Sequence, residues 1–356
     1  MTPAGVLIVC PDSPYSGVGR YTKSLSEALC SHSEVLYLVF SSSMSPLYEK
    51  NHLGKIVPGV SLGAGPLDSL FNQYFSQFVF YREFSRMAEL RRGGWIIHFT
   101  NGIKLPMLNY HDKVVTIHDV IPYKRPEHPH QSLQRHIFRL LKLYKHYSNV
   151  IVDSNHVKKD MEAIGFDVTP TVVYPCVSRQ FKPLGDKVQL RRQLGLPLKK
   201  SLILSVAPNV PRKNLKVVRE AVGALGTDFS LVSVGASIPG AFTFKAVSDE
   251  VLNRIYNACD VLLFPSLDEG FGYPPIEAYS AGLPVVASDI EIFQETLGNS
   301  AILVEPTVNG CIRGIKDALA CGQYPLRKGA ALPRKYSPEE FAQNIRAFYE
   351  NVVAKR

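Results

Sequence analysis

The chain alternates short β-branched apolar runs with longer amphipathic ones. Val6 to Cys10, Val35 to Val39, Ile96 to His98, Val114 to Ile117, Val150 to Asp153 and Val172 to Tyr174 are apolar at nearly every position. Strands buried on both faces have that pattern, whereas a strand with one wet face alternates. Helical periodicity falls between them, as at Tyr21 to Ser31. Beyond residue 200 the scheme repeats, with runs at Leu202 to Val206, Ser230 to Val234, Val261 to Phe264, Val285 to Ala287 and Ile302 to Val304. Helical patterns at Asp249 to Ala258 and Ile276 to Ala281 separate some of them. Alternating strands and helices predict parallel sheets covered on both faces, and two such sets predict an α/β chain of two Rossmann-like halves.

Pro175, Pro183, Gly185 and Pro197, with a short basic helix around Leu190 to Leu194, mark the join. The expected domains are 1–182 and 183–336. A last helix over 337–356 is announced by Ser337, Pro338 and Glu340, a cap, a first-turn proline and a capping-box glutamate. Phe341, Ile345, Phe348, Tyr349 and Val352 share one face of it. Such a stripe needs a surface to cover, either the first domain or the hinge.

Composition narrows the class. A length of 356 residues with 46% hydrophobic positions supports two domains with their own cores and excludes a disordered tail protein. Lys and Arg number 40 against 31 Asp and Glu, a net charge of +9 that fits a phosphate-bearing partner: nucleic acid, nucleotide or anionic membrane. The six cysteines, at 10, 30, 176, 259, 311 and 321, form no Cys-x-x-Cys pair. That scatter speaks against a disulfide framework or zinc site and suits a cytoplasmic protein. No apolar run approaches the roughly 20 residues of a membrane span, and Val6 to Cys10 is too short for an export signal. A soluble or peripheral protein is expected.

Four segments at the carboxyl ends of predicted strands, where open parallel sheets bind ligands, carry candidate chemistry. Ser16-Gly17-Val18-Gly19 opens a helix, and its glycines could bring backbone N–H groups to a phosphate. A tight turn explains the pattern equally well. His118, in Thr116-Ile117-His118-Asp119, could donate to a sugar hydroxyl or phosphate; a lone His is more often structural, and the sequence alone favours that. Arg212 and Lys213 open a helix, where the dipole disfavours cations, and an anionic ligand would compensate. In the fourth segment Glu269 lies beside Gly270, Phe271 and Gly272, placed to accept from hydroxyls next to a bound phosphate. Glu277, eight positions on, falls early in the following helix, where it could pair with a ribose diol or simply stabilise the helix dipole.

The string Pro265-Ser266 through Glu269-Gly270-Phe271-Gly272 to Glu277-Ala278, followed by Ala281-Gly282-Leu283-Pro284-Val285-Val286, resembles the donor-site signature of the family 4 retaining glycosyltransferases of the GT-B fold. Arg212-Lys213-Asn214, the Val247 to Glu250 segment and Ser16 to Gly19 resemble that family's other motifs, in its order. The likeness covers the second domain nearly throughout and the first sparsely. It implies two Rossmann-like domains facing across a cleft, with a nucleotide-diphosphate sugar held mainly by the second. By this resemblance Arg212 and Lys213 would hold the diphosphate, Glu269 and the amides of Phe271 and Gly272 the donor sugar, and Glu277 the ribose. His118 would reach the sugar, and Gly17 and Gly19 would face the diphosphate or acceptor. Thr116 to Pro122 is similar to mannosyltransferase-like branches, which makes GDP-mannose the first donor and a UDP-hexose the alternative.

No cofactor is implied beyond that donor, and no metal, since the chain contains no Asp-x-Asp. The expected acceptor is a growing glycan or glycolipid, and nucleic acid drops out as a partner. Departures from the family pattern are a short segment from Gly235 to Val247, Cys176 in place of a common glycine, and Tyr273-Pro274-Pro275 after the loop. His130 to Tyr147 reads as a basic amphipathic helix that could lie on anionic lipid, though a helix covering the sheet with its cations in solvent explains it more simply, and the aromatic and basic Phe71 to Arg92 suggests contact with acceptor or membrane on the cytoplasmic face. A Rossmann oxidoreductase is the more distant rival, but it lacks a third glycine and the acid about 20 residues on. The other is a catalytically idle partner subunit, which would have no reason to keep Arg212, Lys213, Glu269 and Glu277 together.

Overall fold

The computed structural model describes residues 3, 5–10, 16–30, 34–39, 55–58, 94–101, 113–124, 148–320 and 333–355. The two basic stretches at 71–92 and 130–147 lie outside them. The chain divides into two compact units, Met1–Cys176 with Pro338–Arg356, and Val177–Ser337.

In the first unit, seven parallel strands lie in the order β3-β2-β1-β4-β5-β6-β7. They are β1 (Gly5–Cys10), β2 (Glu34–Val39), β3 (Lys55–Pro58), β4 (Trp95–Phe99), β5 (Lys113–Ile117), β6 (Asn149–Val152) and β7 (Thr171–Val172). Successive side chains point to opposite faces, so each apolar run supplies two cores. Val6 and Ile8 pack with Tyr21 and Leu25 of helix α1 (Gly17–Leu29), whereas Leu7 and Val9 share the other face's core with Val157 and Met161. A one-turn helix, α2 (Ile121–Lys124), follows β5; Val157 and Met161 belong to α3 (Asn155–Ala163), which Ser154 caps by accepting from the Val157 amide at 3.2 Å.

The second unit has six parallel strands in the order β10-β9-β8-β11-β12-β13. After α4 (Lys187–Gln193) come β8 (Ser201–Ala207), α5 (Leu215–Ala224), β9 (Phe229–Gly235), β10 (Phe242–Phe244), α6 (Asp249–Ala258) and β11 (Val261–Phe264). Then follow α7 (Tyr273–Ser280), β12 (Val285–Ser288), α8 (Glu291–Thr296), β13 (Ile302–Val304) and α9 (Val308–Ala320). Ile203, Leu231, Val261 and Val286 pack against Val218 and Ala221 of α5 and Ile315 of α9.

The last helix, α10 (Pro338–Ala354), belongs to the first unit. Its stripe of Phe341, Ile345, Phe348, Tyr349 and Val352 is buried in the core that holds Tyr21, Leu25 and Ile96. Each such side chain contributes roughly 1.5–3 kcal/mol on full burial, which explains why the chain returns to this face. No helix among the described residues is long and apolar enough to cross a membrane.

Candidate active site

In each sheet the strand order reverses direction, between β1 and β4 in the first and between β8 and β11 in the second. Crevices at the carboxyl ends of such switch points are where parallel sheets take ligands. Gly17 and Gly19 come after β1, Arg212 and Lys213 after β8 and Glu269 after β11, whereas His118 follows β5, one strand beyond the first reversal.

In the second unit the segment after β8 forms a single 3-10 turn, Pro211–Lys213, ended by Asn214 in the left-handed region (φ 55°). Asn214 tolerates that conformation, and its Nδ2 donates to the Pro306 carbonyl at 3.0 Å. The cations therefore precede helix α5 and do not lie in its first turn, as the sequence had suggested. The segment after β11 is stitched to this turn, the Leu267 amide donating to the Arg212 carbonyl at 2.8 Å. Arg212 Nη1 in turn donates to the Asp268 carbonyl at 3.2 Å and to Glu269 Oε2 at 3.0 Å. Lys213 Nζ donates to Glu269 Oε1 and lies 4.8 Å from the centroid of the Phe264 ring.

One carboxylate thus bridges both cations. Glu269 and Lys213 are less than a tenth exposed, while the Arg212 side chain keeps 25% of its surface open. Burial alone would raise the Glu269 carboxyl, but the charges of Lys213 and Arg212 outweigh it and hold it below the usual carboxylate range.

Gly270, Phe271 and Gly272 are buried beside this group. Gly272 caps α7 at φ 90°, and a Cβ there would meet Phe293 Cε1 at 2.7 Å. The Phe271 ring sits edge-on to Tyr273 and Tyr336. Glu277, inside α7, is 1% exposed and accepts from the Tyr256 hydroxyl at 2.9 Å. Arg212, Lys213, Glu269 and the Gly270–Gly272 loop are brought together, with Glu277 on the helix the loop opens.

In the first unit Ser16 caps α1 by accepting from the Gly19 amide at 3.0 Å. That cap starts the helix at Gly17, so Gly17 and Gly19 occupy its first turn and form no separate loop. His118 is the first residue after β5. Its Nδ1 lies 2.7 Å from Asp153 Oδ2, and its Nε2 lies 2.7 Å from the Thr100 carbonyl oxygen. Burial works against a charged ring, but Asp153 by charge and hydrogen bond, then the Thr100 carbonyl and Asp119, raise His118 above its ordinary value.

Behind His118 lies a fully buried polar chain. The Tyr21 hydroxyl meets Thr116 Oγ1 at 2.9 Å, Thr116 Oγ1 meets His98 Nε2 at 2.7 Å, and His98 Nδ1 meets the Tyr349 hydroxyl of α10 at 2.5 Å. Burial and then the nearby charge of His118 push His98 down to about 3, so it stays neutral. Asp153, Thr100 and His98 were not singled out as site residues in the sequence, and Tyr349 stood only in the apolar stripe of the last helix. Strand register offers a signal for one of them, since Ile117 pairs with Val152 and the next residues, His118 and Asp153, must be neighbours.

Residues 186–335 match the family model of the glycosyl transferases group 1. Among curated relatives, the chain is 29% identical over 222 residues to the O-antigen chain mannosyltransferase RfbU of Salmonella typhimurium, covering 57% of this chain and 58% of that protein. A stretch of 60 residues is 40% identical to O-antigen chain mannosyltransferase B of Escherichia coli, 17% of this chain and 16% of that one. Among solved structures, sucrose-phosphate synthase from Thermosynechococcus elongatus superposes with a TM-score of 0.76 at 20% identity, covering 99% of this chain and 100% of that one. WaaG, a glycosyltransferase involved in lipopolysaccharide biosynthesis, gives 0.70 at 17% identity, with 96% and 99% covered. Anabaena HepE, solved with UDP and glucose, gives 0.75 at 16% identity, with 98% and 100% covered. The fold is the GT-B fold.

Proposed function

We propose that this chain, whose residues 186–335 carry a group 1 glycosyltransferase domain, is a retaining, metal-independent hexosyltransferase that moves a sugar from a nucleotide diphosphate to a growing glycan. The observation that carries the reading is the group of buried Lys213 and Glu269 with half-buried Arg212 at the carboxyl edge of β8 and β11. Two cations fixed at that edge can neutralise the charge that builds on a departing diphosphate, at no reorganisation cost during the reaction. Glu269, beside them, can accept from sugar hydroxyls, and Glu277, on the helix that follows, would hold the ribose.

Mannose from GDP-mannose is the first choice of donor, supported by the relatives named as mannosyltransferases. A UDP-hexose is the second, favoured by the UDP-bound HepE neighbour. The acceptor would be a lipid-linked or cell-surface glycan, reached by a peripheral protein at the cytoplasmic membrane face. A thermal-shift panel of GDP-, UDP- and dTDP-sugars tests the reading, because a ligand that binds only the folded state raises its melting temperature. A shift with one nucleotide class and hexose transfer that persists in EDTA is expected. No shift with any of them, or strict dependence on added Mn²⁺, would overturn it.

A further inference from the structure

His118, Thr100 and Asp153 are each the first residue after one of three adjacent strands, β5, β4 and β6. Both nitrogens of the His118 ring meet acceptors at 2.7 Å: a carboxylate oxygen on one side, a backbone carbonyl on the other. A carbonyl can only accept, so Nε2 must carry a proton. The second proton lies on the Nδ1 to Oδ2 line, and the pair holds two protons together. Asp153 is 2% exposed, and its other oxygen, Oδ1, has no hydrogen-bond partner among the described residues. A buried carboxylate left half-satisfied is an expensive way to stabilise a fold. It is an expected way to fix the charge and direction of one neighbouring ring.

We infer that Asp153 is the positioning residue of the first unit's site: it orients His118 through Nδ1 and keeps the ring doubly protonated, so that Nε2–H always stands as a donor. The Thr100 carbonyl holds that donor's place until a ligand oxygen takes it over. The identity of that oxygen, a substrate hydroxyl or phosphate, rests on the glycosyltransferase reading; the pairing with Asp153 does not. Among the described residues, the titratable groups around the ring are Asp153 from the end of β6, Asp119 from its own segment, His98 of β4, and Tyr21 of α1, whose ring is edge-on at 4.8 Å. His98 stays neutral, and burial keeps the Tyr21 phenol far above its ordinary value. Against the burial that opposes a charged ring, Asp153 contributes most to holding the protons on His118, with the Thr100 carbonyl and Asp119 adding to it.

The test is the ring nitrogen NMR of His118 across pH in the native chain and in Asp153→Asn, which keeps the acceptor atom and removes its charge. The native ring should stay doubly protonated to higher pH than an ordinary imidazole, and in Asp153→Asn its titration should move down toward or below the ordinary value. With the preferred donor, the alkaline limb of the kcat/KM profile should move down with it, while the donor KM changes little; a role confined to packing would move neither. Should Asp153→Asn fail to fold, the native titration and Asp153→Glu decide. A native ring titrating near its ordinary value, or a folded Asp153→Asn with an unmoved titration, overturns the inference. If the native chain binds no nucleotide sugar, the transferase reading falls while the titration still judges Asp153.

Discussion

Replacing Glu269 with Gln should weaken sugar transfer and yet tighten the binding of a bare nucleoside diphosphate. The Glu269 carboxylate pairs with the cations proposed to hold the diphosphate, through Oε2 on Arg212 and Oε1 on Lys213. An incoming diphosphate must share them with this charge. Two like charges about 5 Å apart at an effective dielectric of about 20 repel by roughly 3 kcal/mol. Arg212 keeps 25% of its side chain open, so solvent screening removes about half of that. The remaining 1–2 kcal/mol corresponds to GDP or UDP binding about 5- to 30-fold tighter in Glu269→Gln. Calorimetry with GDP, UDP and pyrophosphate at two ionic strengths would read this directly, the gain shrinking as salt rises. The intact nucleotide sugar should gain less, because the amide replaces a carboxylate that accepts from sugar hydroxyls. A folded Glu269→Gln protein that binds nucleoside diphosphate no better than the native chain, or worse, would refute the idea that this carboxylate competes for the cations.

Lys213→Ala should lower kcat/KM by about 10²–10³-fold, as when one preorganised donor to a leaving group is lost; steady-state kinetics on the preferred donor would check it. Gly272→Ala should destabilise the chain by roughly 1–3 kcal/mol in urea unfolding, since the residue sits at φ 90° and a Cβ would press on Phe293. Stability should also fall with acid. His98, held at about 3 against an ordinary 6.5, takes up a proton far more readily when unfolded, so its contribution drops from pH 6.5 to 3 by roughly 5 kcal/mol in all. Glu269, with its carboxyl depressed, adds a further loss below the usual carboxylate range. His118 has the opposite sign: its contribution is full below pH 6.5 and is lost as pH rises through its raised value. Urea midpoints across pH, in the native chain and in His98→Gln, measure this, and equal acid slopes in the two would contradict the assignment to His98.

The sheets were legible because parallel strands buried on both faces leave few polar residues to blur the run, and none at Val6 to Val9 or Val261 to Phe264. Short edge elements were not: β3 at Lys55–Pro58 and β10 at Phe242–Phe244 are too brief for a periodicity to form. Helix starts depended on caps. Ser16 pulls α1 back to Gly17, ahead of the apolar pattern that begins at Tyr21, and Asn214 delays α5 until after the two cations. At the site, Arg212, Lys213 and Glu269 stood out as residue types at strand ends. That one carboxylate pairs with both cations is a contact between segments more than 50 positions apart, and spacing along a chain does not report it.

The same long-range logic explains why the site's charges can be assembled at all. Lys213 and Glu269 are each less than a tenth exposed, and either alone would cost several kcal/mol to bury. Paired, they fold into place before any ligand arrives, and Arg212 extends the pair toward solvent, where an anion can meet it. His118 and Asp153 solve the same problem in the first unit, with the Thr100 carbonyl as the partner of Nε2. A ligand that enters such sites exchanges partners and does not create charge, so binding draws on interactions already prepaid in folding. That exchange favours the state in which negative charge is greatest. On the proposed reading, a ground-state donor would compete with Glu269 for the two cations, whereas the departing diphosphate, carrying more charge, would compete better, and the difference between the two would lower the barrier.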